Sequence, residues 1–102
     1  MLLTLKGYRI LARRYGGKGG EIDLIARRGH LVIFVEVKAR ASRDDAAGAI
    51  TAEKRRLMAR RIATWRAQNP WSAACSLRAD AVFLGTIGWP RHVTGVFDLT
   101  AP

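Results

Sequence analysis

The chain has 102 residues, with 18 Lys and Arg against 8 Asp and Glu, so its formal net charge is +10. This length predicts one domain over residues 1–102, and the ordinary hydrophobic fraction of 49 % excludes a disordered chain. Its one cysteine, Cys75, excludes an internal disulfide, and no apolar run reaches the ~20 residues of a membrane span. We therefore expect a soluble cytoplasmic protein, with no membrane association, whose positive field attracts nucleic acid.

The first half of the chain predicts the end of a helix followed by three strands. Lys6 and Gly7 are typical of the last turn and the stop of a helix. The strands are predicted over residues 8–14, 21–27 and 31–40. A tight turn at Arg28-Gly29-His30 joins the last two strands into a hairpin. The third strand is apolar on both faces for most of its length, which predicts a central position in the sheet.

The second half predicts one long helix and two more strands. Thr51 is a good N-cap for a helix that runs to about Gln68, and Asn69-Pro70 ends it. Its apolar stripe comprises Ile50, Leu57, Met58, Ile62 and Trp65. Further strands are predicted over 77–84 and 92–99. The order (α)βββαββ predicts an α/β fold, a mixed five-stranded sheet with helix cover.

Basic residues on the long helix and just before it are predicted to contact nucleic acid. They are Arg40, Arg43, Arg55, Arg56 and Arg60.

Four charged residues of the hairpin carry the chemistry that the sequence predicts. Because side chains alternate along a strand, Glu21 shares a face with Asp23, and Glu36 shares a face with Lys38. The turn allows two registers, one with Asp23 opposite Glu36 and one with Glu21 opposite Glu36. Either register gathers the three carboxylates and the lysine on one face.

Such a cluster of like charges is unfavourable on a sheet unless something offsets the repulsion. Mg²⁺ does so, because it binds carboxylates together with several waters. A bound metal stabilises charge on a phosphoryl oxygen and lowers the pKa of a water nucleophile, which is what phosphodiester hydrolysis needs. The alternative interpretation is a plain Glu21–Lys38 ion pair, with Asp23 and Glu36 solvated or bonded to arginines.

Two charged residues lie at otherwise apolar positions. Lys54 is on the inward stripe of the long helix, so its ammonium reaches either the acidic cluster or the solvent at the helix end. Asp80 is a single acid in an apolar strand, for which a structural role, paired with Arg78, is the expected one.

The histidines and tryptophans give weaker signals. His30 and His92 are far apart in sequence, so we expect isolated surface histidines rather than a metal or catalytic site. Trp65 is expected in the core, whereas Trp71 and Trp89 are open to either core packing or stacking on bases.

Several segments together resemble a known family. They are GEIDLI at 20–25, FVEVKAR at 34–40, Lys54 and RAD at 78–80. In these segments the chain resembles the YraN-like family of small bacterial proteins, which is similar to archaeal Holliday junction resolvases and to the PD-(D/E)xK nuclease superfamily. The resemblance covers nearly the whole chain from Leu3 onward. It implies a restriction-endonuclease-like core and is compatible with a homodimer.

The resemblance also implies roles for individual residues. Asp23 and Glu36 become Mg²⁺ ligands, with Mn²⁺ as a substitute, and the backbone carbonyl of Val37 becomes a further ligand. Lys38 becomes the catalytic lysine, and Glu21 and Lys54 lie at the site. The family opens with a fuller helix that carries a glutamate at the metal site, and relative to it the N-terminal helix of this chain is truncated.

The sequence therefore predicts a Mg²⁺-dependent, endonuclease-like protein that acts on DNA, with branched DNA among its candidate substrates. Two interpretations from other classes stay open. One is a non-catalytic nucleic-acid-binding module with a degenerate nuclease site. The other is a basic structural or ribosome-associated protein in which the acids are incidental.

Overall fold

The computed structural model describes residues 2–17, 21–39, 51–85, 90–97 and 99. In chain order the elements are helix α1 (Leu2–Leu5), strands β1 (Arg9–Tyr15), β2 (Ile22–Arg28) and β3 (Leu31–Lys38), helix α2 (Ala52–Gln68), a 3₁₀ helix (Pro70–Ala74), and strands β4 (Ser76–Phe83) and β5 (Arg91–Phe97). This order confirms the predicted α/β class, with bounds that differ by one or two residues. The 3₁₀ helix was not predicted; Pro70, whose ring restricts its own φ, begins it.

The five strands form one sheet in the order β1-β2-β3-β4-β5. Neighbours are antiparallel except β3 and β4, which are parallel, so the predicted mixed sheet is confirmed. β3 lies in the centre, as its apolar faces predicted. The β2–β3 pairing runs from Arg28↔Leu31 to Leu24↔Val35, which makes Gly29-His30 the loop. Gly29 has φ +60, a conformation that glycine adopts at little cost in the first position of a hairpin turn.

Helix α2 is the crossover that the parallel pair β3 and β4 needs. Thr51 caps it as predicted, because its hydroxyl accepts the Lys54 N–H at 3.1 Å. Met58, Ile62 and Trp65 of its stripe are buried. With Ile22, Ile25, Val32 and Phe34 they form the core on this face of the sheet. Ile50, predicted on the same stripe, lies outside the described residues.

A second core covers the opposite face of the sheet. Leu3 of α1 and Tyr8 pack there with apolar residues of β2, β3 and β4. Gly7, predicted to stop α1, has φ +89 and lies between these two residues. No helix in the described ranges is long and apolar enough to cross a membrane.

Asp80 is fully buried in β4 and joins three elements. Arg78 donates to it from Nε at 2.7 Å and from Nη2 at 2.8 Å, which confirms the predicted pair. The backbone N–H of Gly95 donates at 3.0 Å, and His92 Nε2 lies 2.8 Å away. Burial alone would raise the pKa of Asp80, but these hydrogen bonds outweigh it and hold that pKa below its ordinary value.

The prediction of an isolated surface His92 is wrong. Its side chain is 2 % exposed, because β5 turns the imidazole inward against Asp80. Lys6 Nζ lies 2.9 Å from His92 Nδ1. An ammonium can only donate, so Nδ1 accepts and Nε2 carries the hydrogen that Asp80 receives. This network could not be predicted from the sequence, because Lys6, Asp80 and His92 lie far apart along the chain.

Candidate functional site

The ends of β2 and β3 part beyond the Leu24↔Val35 pair. Glu36 projects from the face that α2 covers, because Lys54 of that helix contacts it, and Asp23 lies one residue beyond the last paired residue of β2. At this point the Asp23 carboxylate, rather than a strand carbonyl, accepts the Val37 N–H, with Oδ2 at 2.7 Å from the nitrogen. A charge-assisted bond of this kind holds one carboxylate at the mouth of the hairpin.

Glu36 is a buried carboxylate held by two lysines. Its side chain is 7 % exposed, with Oε1 at 3.4 Å from Lys38 Nζ and Oε2 at 3.4 Å from Lys54 Nζ. The contact from Lys54 lacks hydrogen-bond geometry, so the buried Oε2 has no hydrogen-bond partner among the residues that the structure describes. Of the two fates predicted for the Lys54 ammonium, contact with the acidic cluster is therefore the one observed.

Glu21 does not form the ion pair with Lys38 that the alternative interpretation of the sequence offered. It precedes the first residue of β2, so the alternation of the strand does not govern its side chain. Its Oε2 instead lies 3.2 Å from Arg14 Nε, in a pair whose arginine side chain is 80 % exposed. Such an exposed pair adds little stability. Arg14 has φ +52, a left-handed backbone conformation that is uncommon for residues other than glycine.

Beside this pair lies an open depression of about 540 Å³. It is lined by Arg13, Arg14, Glu21, Asp23, Leu24 and Val37. The two arginines were missed by the sequence analysis. The sequence does show two adjacent arginines at the end of the first predicted strand. Only the β1–β2 register, however, puts them beside Asp23.

A divalent cation needs several oxygen donors close together. In the described ranges no three His, Cys, Asp or Glu side chains gather as a metal-binding group. Two carboxylates with water suffice for Mg²⁺, however, and Asp23 and Glu36 are the pair on adjacent strands. Glu36 Oε2, which has an ion-pair contact but no hydrogen bond within the described ranges, is the kind of buried acceptor that an ion would satisfy. These residues fit the ion, and the Val37 carbonyl stays a predicted ligand.

The predicted nucleic-acid contacts divide into two groups. Arg55, Arg56 and Arg60 are exposed on α2, the helix that places Lys54 at Glu36. Arg40 and Arg43 lie outside the described residues.

Comparisons with known proteins match nearly the whole chain. The family model described as "Uncharacterised protein family UPF0102" matches residues 1–84. A "UPF0102 protein" of Methylobacterium nodulans is 57 % identical over 99 residues, which are 97 % of this chain and 77 % of the relative. One from Methylorubrum extorquens is 54 % identical over 99 residues, with the same coverage of 97 % and 77 %. One from Bradyrhizobium diazoefficiens is 49 % identical over 96 residues, which are 94 % of this chain and 72 % of the relative.

Proposed function

This chain belongs to the uncharacterised protein family UPF0102, and on that premise we propose that it is a Mg²⁺-dependent, endonuclease-like protein that hydrolyses phosphodiester bonds in DNA. The YraN-like resemblance is confirmed at the level of the family. The wider likeness to resolvases and PD-(D/E)xK nucleases supports the proposal as a resemblance. A restriction-endonuclease-like core is part of the proposal, and the mixed sheet with its crossover helix is compatible with it.

One observation carries the proposal: Asp23 accepts the N–H of Val37, the residue that follows Glu36, and Glu36 itself lies beside Lys38 and Lys54. A cation held by these two carboxylates supplies charge for a phosphoryl oxygen and a more acidic water. Lys38, the more exposed lysine of the two, is suited to orient that water or to hold the phosphate. Lys54 keeps the buried Glu36 in position.

The arginines of the depression add a binding role. Arg13 and Arg14 line it together with Asp23, so a phosphate bound there lies next to the proposed metal ligands. Guanidinium groups suit this task because their planar donors match phosphate oxygens. Glu21, through its contact with Arg14, holds one of these donors at the rim.

The proposal is tested by a cleavage assay on linear, flapped and four-way DNA in Mg²⁺, in Mn²⁺ and in EDTA. We expect cleavage of at least one substrate in either metal and none in EDTA. Protein that binds all three substrates and cuts none of them, in either metal, would contradict the enzymatic part.

A second candidate, a non-catalytic nucleic-acid-binding module, is favoured by one specific observation. Glu36 already has two lysine counter-ions, Lys38 and Lys54, which compete with a metal for the same carboxylate. Calorimetric titration with Mn²⁺ separates the two candidates, because the degenerate site needs no metal. Heat of Mn²⁺ binding that disappears in Asp23→Asn supports the enzyme.

Binding to DNA is expected to be mainly electrostatic. If about four to six phosphates are neutralised, log K falls against log salt concentration with a slope of roughly −4 to −5. Replacing Arg56 and Arg60 by glutamine is expected to reduce the magnitude of the slope by about 2, near one unit for each lost phosphate contact. Fluorescence anisotropy with labelled duplex measures it.

The control for this series is Arg9→Gln. Arg9 is an exposed arginine at the start of the edge strand β1 and not part of α2, and its loss changes the net charge without removing a predicted contact. A wild-type slope near zero would contradict the electrostatic proposal. If Arg56→Gln alone and Arg9→Gln changed the slope of log K against log salt concentration equally, α2 would not be part of the DNA interface.

A further inference from the structure

Trp71 leaves a large aromatic ring at the surface directly after α2. The residue is 41 % exposed and belongs to the 3₁₀ helix. Trp65, which is 4 % exposed, packs against it nearly perpendicularly, with ring centroids 5.6 Å apart. Trp71 therefore rests on the core through its neighbour, and its indole is held in a defined orientation.

A cation lies over the same ring. Arg27 of β2 has its Cζ 4.5 Å from the centroid of the Trp71 ring. A guanidinium at this distance is attracted to the electron-rich face of the indole. Core packing explains the buried Trp65, but it does not explain why a second indole projects to solvent beside a cation. A nucleotide would use both groups once Arg27 turns from the ring to the phosphate, because the uncovered ring can then stack on the base.

The position of Trp71 relates it to the proposed active site. Lys54, in the first turn of α2, contacts Glu36 near the end of β3. Trp71, beyond the last turn, contacts Arg27, whose strand partner is Val32 near the start of β3. α2 therefore runs antiparallel to β3. The two sites lie at opposite ends of a 17-residue helix, roughly 25 Å apart.

The surface between the two ends carries positive charge. Arg56 and Arg60 are exposed along α2, within a chain of net charge +10. A length of about 25 Å corresponds to roughly seven nucleotides of one strand in a duplex. A bound strand can therefore follow α2 from Lys54 to Trp71.

We propose that Trp71 and Arg27 form a stacking site for an unpaired base, at the far end of a strand that follows α2. This inference rests on the nucleic-acid-binding part of the proposed function and names its substrate class. Bases inside a blunt duplex stack on one another and offer no free face, whereas single-stranded or partly unpaired DNA does. The protein then prefers substrates with unpaired segments.

The test compares the affinities of Trp71 variants for an oligothymidine and for a blunt duplex of similar length. The oligothymidine has about 12 nucleotides, which is within the usual range of single-strand site sizes. Trp71→Ala is expected to weaken oligothymidine binding about ten-fold or more, since stacking of one base contributes that much. Duplex binding stays unchanged. Trp71→Phe retains most of the single-strand affinity and Trp71→Leu, equally apolar but without a π face, does not.

Leu5→Ala is the matched control, because it truncates an exposed apolar residue, 73 % exposed, in α1. Circular dichroism shows whether each variant is folded. If Trp71→Ala unfolds, the oligothymidine affinities of Trp71→Phe and Trp71→Leu are compared instead. Wild-type protein that binds neither DNA contradicts the proposed function and the stacking site together. Normal duplex binding, with Trp71→Leu and Trp71→Phe binding oligothymidine equally, overturns only the stacking site. If Trp71 instead binds a protein partner, duplex binding is normal and the Phe and Leu variants bind oligothymidine equally.

Discussion

Asp80→Ala is expected to lower the free energy of unfolding by about 3 kcal/mol, the lower end of the range for breaking a buried ion pair. Asp80 is 0 % exposed and accepts hydrogen bonds from Arg78, His92 and Gly95. Alanine leaves these donors without their acceptor. The lower end applies because the Arg78 side chain is 30 % exposed and can regain water. Urea unfolding followed by circular dichroism measures the change.

The matched variant Asp80→Asn separates charge from shape. Both carboxylate oxygens of Asp80 accept hydrogen bonds, so the amide nitrogen of asparagine must face a donor whichever way it points. We therefore expect a clear loss of stability there too. Glu53→Gln, at an exposed carboxylate in the first turn of α2, is the control for the change in charge. An Asp80→Ala unfolding midpoint equal to that of Glu53→Gln would contradict the structural role.

The contribution of Asp80 is also expected to depend on pH. The folded-state pKa is below the ordinary value of 3.8, so the charged form stabilises the fold in full at pH values well above 3.8. That stabilisation is lost as the pH falls from this value through the folded pKa. The difference in unfolding free energy between wild type and Asp80→Asn should accordingly shrink on acidification below about pH 4.

Asp23→Asn and Glu36→Gln are each expected to reduce metal-dependent cleavage at least about 100-fold. A cation contributes several kcal/mol of charge stabilisation, and each 1.4 kcal/mol corresponds to a factor of ten in rate. Asparagine keeps an oxygen that can accept the Val37 N–H, so the loss at Asp23 is not one of folding. DNA binding should stay equal or become slightly tighter, because each variant removes a negative charge.

Glu53→Gln is again the matched control, since it removes one carboxylate next to Lys54 in sequence without touching the proposed ligands. It should cleave like wild type. Equal cleavage by Asp23→Asn, Glu36→Gln and Glu53→Gln in Mg²⁺ would assign any activity to another site or to a contaminant. Inactive Asp23→Asn and Glu36→Gln that also lose DNA binding would show instead that these carboxylates support the fold.

Several local features were predictable because short-range chemistry determines them. Thr51 caps α2 through its own hydroxyl, and Gly7 and Gly29 adopt positive φ where a helix stops and a hairpin turns. The apolar faces of β3 likewise predicted the central strand. At the cap and the two glycines the interacting groups are a few residues apart, so backbone geometry decides the outcome, and for β3 the burial of both faces does.

Contacts between different elements, near or distant in sequence, were decided by the tertiary structure. The hairpin pattern allowed two registers, and the fold selected the one that sets Leu24 opposite Val35, with Gly29-His30 as the loop. Glu21 pairs with Arg14 rather than Lys38, because the chain has not yet entered β2 at that residue. Asp80 was predicted to pair with Arg78, two positions away on the same strand, but His92 reaches it only through the pairing of β4 with β5.

Residue types and their alternation along β3 thus determined that Glu36 and Lys38 share a face, whereas the same pattern failed for Glu21, which precedes β2. Which groups touch was decided by packing: α2 lies across the sheet and carries Lys54 to Glu36, while the parting strands turn Asp23 to the Val37 amide. The physical reason is the distance along the chain over which each kind of interaction acts. Alternation and capping follow from the geometry of neighbouring residues, whereas a contact 3–4 Å long between distant residues depends on how whole elements dock.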